Sequence, residues 1–266
     1  MNMRVDPGIM PRPSAIALTD LSVERGGRRA LDTVSLGFER GAVTAVVGPS
    51  GAGKTTLIHV LNGLIGPTRG AIASEAFGAL ASRQAWARQR ERTATIYQDH
   101  ALIGRLSALD NVLLGLADTR SPFSLAPWPR SARRRAVRAL SDVGLPPARA
   151  LDRVDCFSGG EKQRIGIARA LVRQPGVLLG DEPFASLDGP LGQRLGDDLR
   201  RLATSDGVTV VIVLHQVALA RSLADRIVGL NGGSLVFDGP ACLFDAEAES
   251  GVFGSDRSSQ AKEGSS

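Results

Sequence analysis

The run AVTAVVGPSGAGKTTLIHVLNGL, Ala42 to Leu64, changes character twice. It opens on a short apolar stretch rich in valine and bounded by glycine, which reads as a buried strand. A glycine-rich turn follows, and after it apolar residues recur at helical spacing. Between the two, Gly48–Thr56 (GPSGAGKTT) satisfies G-x-x-x-x-G-K-[ST] in the strand–turn–helix setting that this pattern requires. Gly48, Gly51 and Gly53 let the chain wind tightly enough for backbone N–H groups to point inward. The loop Gly48, Pro49, Ser50, Gly51, Ala52, Gly53, Lys54, Thr55 and Thr56 is thus a cradle for phosphate oxygens. Lys54 is placed to reach β- and γ-phosphates, and Thr55 to offer its hydroxyl to Mg²⁺. The plain alternative is a structural glycine-rich turn.

Outward from this loop the same rhythm recurs. GVLLGDEP (Gly176–Pro183) and VTVVIVLH (Val208–His215) are further apolar runs, the second followed by the amphipathic VALARSLADRIV. Alternation of this kind predicts a mainly parallel sheet wrapped by helices, an α/β fold. Near the start, AIALTDLSVER and DTVSLGFE alternate polar and apolar residues, which predicts a small antiparallel β subdomain. From about Asp99 to Arg164 strand signals vanish, and helical patterns are interrupted only by SPFSLAPWPRS. The expected organisation is a core over 15–98 and 165–253 with an inserted helical subdomain at 99–164. Residues 1–14 and 254–266, rich in Pro, Gly, Ser and charge without periodicity, are expected to be disordered ends.

Three further places carry chemistry. In GDEP a buried strand delivers Asp181 and Glu182 to its carboxyl end, where α/β sheets keep their ligands. Asp181 can hold Mg²⁺ and Glu182 can polarise an attacking water as general base, although adjacent acids also occur as capping or surface residues. His215 ends another core strand, within reach of a γ-phosphate or that water; a lone histidine is more often structural. In FSGGEKQRIGIARAL, Phe157–Leu171, the Ser158–Gly159–Gly160 turn opens a helix, so its bare N–H groups and the helix dipole suit an anion. Ser158 with Glu161 also fits a capping box that needs no ligand.

Composition limits the alternatives. The 266 residues, 43% hydrophobic, support one large α/β domain with an inserted lobe. No apolar run approaches the ~20 residues of a membrane span, and MNMRVDPGIMPRPS lacks a secretion-signal core, so a cytoplasmic location is expected. Cys156 and Cys242 lie far apart without metal-ligand spacing and read as reduced thiols. All but three of the 32 basic residues are arginine, the formal charge is +5, and RSARRRAVR (Arg130–Arg138) is the densest basic patch. Aromatics are only 4% and do not interleave with it, so no nucleic-acid partner is expected.

Taken together, GPSGAGKTT, Gln98 in IYQD, FSGGEKQR, GDEP, SLD at Ser186–Asp188, and His215 resemble ATP-binding-cassette ATPases in order and spacing. The resemblance covers about residues 15–245. It implies a P-loop NTPase (RecA-like) core, with ATP and Mg²⁺ as cofactors. It also implies a head-to-tail homodimer in which Ser158, Gly159, Gly160 and Glu161 cap the γ-phosphate held by the partner, with Asp188 as a cross-dimer contact. Under it, Glu182, His215, Gln98 and Lys54 are the catalytic set, Thr55, Gln98 and Asp181 attend the metal, and Gln98 links the γ-phosphate to the helical lobe.

More narrowly, RLSALDNVLLG and VLHQVALARSLADRIVGLNGGSLVFDGP are similar to the ATP-binding subunits of bacterial phosphonate importers. That implies a separate integral-membrane permease and, indirectly, a periplasmic substrate-binding protein. The implied location is the cytoplasmic face of the inner membrane, as a peripheral protein. The surface between Asp99 and Asn111, with Leu102, Ile103 and Leu106, would receive a permease helix. ATPases of other importers, such as those for amino acids, and soluble cassettes with no transport role are the alternatives. One departure is notable: LSVERGGRRAL lacks the family's adenine-stacking aromatic and puts Arg25 there, either stacked on the base or pointing to solvent. Phe157 and Gly180 also stand where Leu and Ala are commoner, and neither removes a functional group.

Overall fold

The computed structural model describes residues 13–99, 101–119, 126–185, 187 and 189–263. Strands β1 (Ser14–Arg25) and β2 (Arg28–Glu39) form an antiparallel hairpin. Its turn residues Gly26 and Gly27 both have positive φ, 54° and 74°, the backbone that a two-residue hairpin turn demands and that glycine adopts freely. β3 (Val43–Val47) then feeds helix α1 (Lys54–Leu61), β4 (Arg69–Ser74) and β5 (Gly78–Ala79) return to the hairpin, and α2 (Arg83–Glu91) leads into β6 (Thr93–Ile96). Helices α3 (Ala108–Leu113), α4 (Arg130–Asp142) and α5 (Gly159–Leu171) follow. The chain then alternates through β7 (Val177–Asp181), α6 (Gly189–Asp206), β8 (Thr209–Val213), α7 (Val217–Leu223) and β9 (Arg226–Asn231), before β10 (Ser234–Pro240) and α8 (Ala246–Glu263).

Two sheets result, an antiparallel one of order β2-β1-β4-β5 and a six-stranded one of order β10-β9-β3-β8-β7-β6. In the larger sheet every pairing is parallel except that of β10 with β9. β3, β7 and β8 are buried along their whole length. The reason is that both of their faces are covered: Val43, Ala45, Val210 and Ile212 point into one apolar cluster, and Val46, Val211 and Val213 into the other. This is why their sequences read as mainly apolar runs and do not alternate with polar residues. Each of these valines and isoleucines contributes about 1.5–3 kcal/mol on burial. Arg226 ties the two sheets together, donating to both carboxylate oxygens of Asp238 (2.6 Å each) and to the carbonyl of Gly37 on β2 (2.8 Å).

The helical lobe shares the first cluster through Leu109, Val112, Leu140 and Ile165. On α4, Arg130, Arg133, Arg134, Arg135 and Arg138 are exposed while Ala136 and Leu140 are buried, so the basic run is the outward face of an amphipathic helix. The structure departs from the sequence expectation twice. The boundary expected at 164/165 falls inside the unbroken helix α5. The tail expected to be disordered from residue 254 instead continues α8 to Glu263. Between Ser255 and Glu263 there is neither glycine nor proline to stop a helix once started, so low apolar content does not end it. Residues 1–12 and 264–266 lie outside the described residues.

Candidate active site

Because β3, β8, β7 and β6 are adjacent and parallel, their carboxyl ends share one edge of the sheet. Four connections leave from that edge. β3 passes into Gly48–Gly53, β8 into Leu214 and His215, β7 into Glu182, and β6 into Tyr97 and Gln98. The register pairs Asp181 with Val213 and Gly180 with Ile96, so residues far apart in sequence are delivered to one place.

The loop after β3 is shaped by close backbone approach. A side chain on Gly48 would meet the Leu230 carbonyl at 2.1 Å, and one on Gly53 the Ala30 carbonyl at 2.4 Å; φ at these glycines is 153° and 100°. Only glycine fits either position. Gly53 caps α1 without a side chain, so the N–H groups of the first turn face outward with no side-chain acceptor. Lys54 is 6% exposed and donates to the carbonyls of Gly48 and Pro49, 2.8 Å each. Burial lowers its pKa, and the carboxylates of Glu182 and Asp181 counter that effect.

Thr55 Oγ1 lies 3.4 Å from Asp181 Oδ1. Asp181 is itself buried, and burial raises its pKa because nothing nearby fully replaces the water its charge has lost. Glu182, one residue on, takes the left-handed conformation (φ 51°). One of its oxygens accepts from Gln98 Nε2 at 3.2 Å and the other is hydrogen-bonded to His215 Nε2. The structure thus brings Lys54, Thr55, Asp181, Glu182, Gln98 and His215 together. Gln98, expected beside the metal and γ-phosphate, here donates to Glu182.

Ser158 caps α5 within a complete capping box. Its N–H donates to Glu161 Oε2 (2.8 Å) and the N–H of Glu161 to Ser158 Oγ (3.3 Å). The alternatives open in the sequence are compatible, since Ser158 and Gly159 remain exposed with the box formed. Arg25 is exposed at the hairpin turn, and Asp188, like Ser186, lies outside the described residues. Two residues went unrecognised in the sequence. Arg149 pairs with Glu161 and stacks over Phe157, 4.0 Å from the ring centre, bracing the turn from behind. Buried Gln163 donates to the carbonyl of Pro183 (2.9 Å), tying α5 to the residue after Glu182. Only the regular spacing of the FSGGEKQR motif hinted at Gln163; Arg149 left no signal.

Residues 31–185 match the family model described as ABC transporter, more than half of the chain. The chain belongs to the ABC transporter family. A phosphonates import ATP-binding protein of Rhodopseudomonas palustris is 55% identical to this ABC protein over 92% of this chain and 86% of that one. A phosphite import ATP-binding protein of Stutzerimonas stutzeri is 48% identical over 84% and 82% of the two chains. Among solved structures, the dimeric post-hydrolysis state of an ATP-binding cassette bound to ADP and Pi superposes with a TM-score of 0.77 at 29% identity, covering 85% of this chain and 98% of that one. This ABC protein is an ATPase: it binds ATP and hydrolyses it, on the P-loop NTPase fold that the sequence motifs imply.

Proposed function

We propose that this ATPase energises the uptake of phosphonate or a related phosphorus oxyanion through a separate permease. The observation that carries this reading is the 55% identity to a phosphonates import ATP-binding protein across nearly the whole chain. The working unit is a head-to-tail homodimer with ATP between the Gly48–Thr56 loop of one subunit and the Ser158–Gly160 turn of the other. A dimeric relative bound to ADP and Pi supports it. Among the described residues no helix is long and apolar enough to cross a membrane. We place this subunit on the cytoplasmic face of a bacterial inner membrane, with a periplasmic binding protein selecting the cargo.

The residues divide the chemistry between them. The loop N–H groups and Lys54 bind and orient the phosphates, and Lys54 must exchange its two carbonyl partners for phosphate oxygens. Glu182 takes the proton of the attacking water, while Gln98 and His215 fix the direction of its carboxylate. Thr55 and Asp181 would hold Mg²⁺. They fit it: both present hard oxygen ligands, and the Asp181 carboxylate is buried where a cation would restore its charged form. Among the described residues no group of three or more His, Cys, Asp or Glu side chains is arranged to hold a metal ion by itself. This suits an ion that draws its remaining ligands from phosphates and water, and when bound it neutralises charge on the transferring phosphate. Ile103, 41% exposed on the helical lobe, offers the permease an apolar contact, whereas Leu102 packs against the lobe's own core.

Growth tests the proposal. A strain lacking this gene is supplied with phosphonate or phosphite as sole phosphorus source, then complemented with wild type or Glu182→Gln. Rescue by wild type alone is expected. Undiminished growth of the deleted strain on both sources, or loss of amino-acid uptake instead, would reject phosphorus oxyanions as cargo.

A further inference from the structure

Gln98 sits in a short connection, Tyr97 to Ala101, that is held at both ends by side chains from two different helices. At the near end, Asn62 Nδ2 donates to the Tyr97 hydroxyl at 3.1 Å. Asn62 is the C-cap of α1, the helix that begins at Lys54. At the far end, the guanidinium of Arg169 donates to the carbonyl of Ala101. Arg169 lies in the last turn of α5, the helix that begins beside Ser158. Its charge also interacts electrostatically with Tyr97 and Asp99 of the same connection. Ala101 takes a left-handed conformation, φ 45°, which a residue with a Cβ adopts only when its surroundings enforce it. Between the two anchors Gln98 reaches Glu182.

The pattern is unusual in what it connects. α1 starts at the phosphate loop of this subunit, and α5 starts at the turn proposed to meet the other subunit's nucleotide. A small displacement of either helix is carried by its far end to the same connection, and from there to the carboxylate that Gln98 orients. We infer that the Asn62–Tyr97 and Arg169–Ala101 bonds are a two-point clamp that positions Gln98 on Glu182, so that hydrolysis in one site answers to both bound nucleotides. Tyr97 and Arg169 are positioning residues and contact no phosphate. The inference rests on the ATPase reading of the site and goes beyond it.

The experiment is a pair of double-mutant cycles on the full chain, with Arg169→Ala and Tyr97→Phe each made alone and on a Gln98→Ala background. ATP affinity, KM, kcat and the thermal melt are measured for every protein. If the clamp acts through Gln98, each single variant keeps ATP affinity and KM within about twofold while kcat falls about tenfold or more, because a misplaced orienting group costs rate and spares binding. On the Gln98→Ala background the same change costs less than about twofold. Arg169→Lys, which keeps one donor for the carbonyl, is expected to recover part of kcat.

Undiminished kcat in both single variants would overturn the clamp, as would losses that persist in full on the Gln98→Ala background. Should Arg169→Ala fail to melt cooperatively, Arg169→Lys and Tyr97→Phe decide the question by the same criteria. A wild-type chain without ATPase activity would instead strike at the ATPase reading, which keeps the two failures apart.

Discussion

Glu182 and His215 hold one another across the ends of the neighbouring strands β7 and β8. The link is one hydrogen bond between Glu182 Oε1 and His215 Nε2. With Gln98 on the other oxygen, each oxygen of the Glu182 carboxylate has a partner that fixes its orientation, and lone pairs remain to take a proton. His215→Ala is expected to lower kcat about a hundredfold while leaving ATP affinity within about twofold, since it removes orientation and no phosphate contact. Steady-state ATPase assays beside an equilibrium nucleotide titration check this; an equal loss in both would place His215 among the binding groups.

Removal of the base itself gives a different result. Glu182→Gln keeps the shape of the side chain but cannot take a proton, so turnover is expected to fall by about 10² or more. ATP binding persists, and subunits accumulate as an ATP-bound dimer. Sedimentation with ATP and Mg²⁺ measures it, and a monomeric variant with wild-type turnover would show that Glu182 is not the base.

Separation of the two halves of the site can be tested by mixing. Lys54→Ala damages the phosphate loop and Ser158→Arg the signature turn, so each homodimer carries two damaged sites. A mixed dimer has one site intact and one doubly damaged. Partial recovery of ATPase activity on mixing is the expected outcome if Ser158 serves the partner's nucleotide. No recovery, combined with equal loss of ATP affinity in both isolated monomers, would mean that Ser158 acts on its own subunit's ATP.

The capping box should make α5 sensitive to acid. The pKa of Glu161 is held below its ordinary value of 4.5, chiefly by the hydrogen bond from the Ser158 backbone N–H and with help from Arg149. A carboxylate with a depressed folded pKa contributes stability that is complete above the unfolded value and is lost as pH falls through the folded one. The contribution should therefore be present at pH 6 and decline below about pH 4.5. Thermal melts from about pH 6 to well below about pH 4.5 test it against Glu161→Gln, in which this component of the acid sensitivity should vanish. At neutral pH, Ser158→Ala should cost about 1 kcal/mol, the usual worth of an N-cap.

Nucleotide choice turns on Arg25. If its guanidinium stacks on adenine, Arg25→Tyr should tighten ATP binding by supplying a larger, stiffer surface, and ATP should be only modestly preferred to GTP. Titration of both nucleotides decides it, and unchanged affinity in Arg25→Ala would exclude contact with the base.

Legibility followed the range of the interactions involved. The Gly48–Thr56 loop, the acids Asp181 and Glu182, and the Ser158–Glu161 box are each contained in a few consecutive residues, so spacing and residue type report them directly. β3, β7 and β8 are equally plain because burial on both faces makes them mostly apolar, with one polar residue each, Thr44, Asp181 and Thr209. The Arg149–Glu161 pair, the Gln163–Pro183 bond and the Asn62–Tyr97 bond join residues 12 to 35 positions apart. Tertiary packing creates them, and no period or motif in the chain announces them. The extension of α8 past residue 254 was missed for another reason: composition weighs against a packed core, but it does not forbid a helix that continues from a well-anchored start.

The left-handed backbone at Glu182 has a consequence for the history of such a chain. At this position the fold on its own favours glycine or asparagine, because a residue with a longer side chain pays about 1 kcal/mol or more to stay there. Folding and turnover therefore pull the same codon in opposite directions. A duplicated copy released from hydrolysis would be expected to drift here early, gaining backbone ease as it lost activity, whereas a chain still under selection for transport keeps its glutamate against the preference of its own backbone.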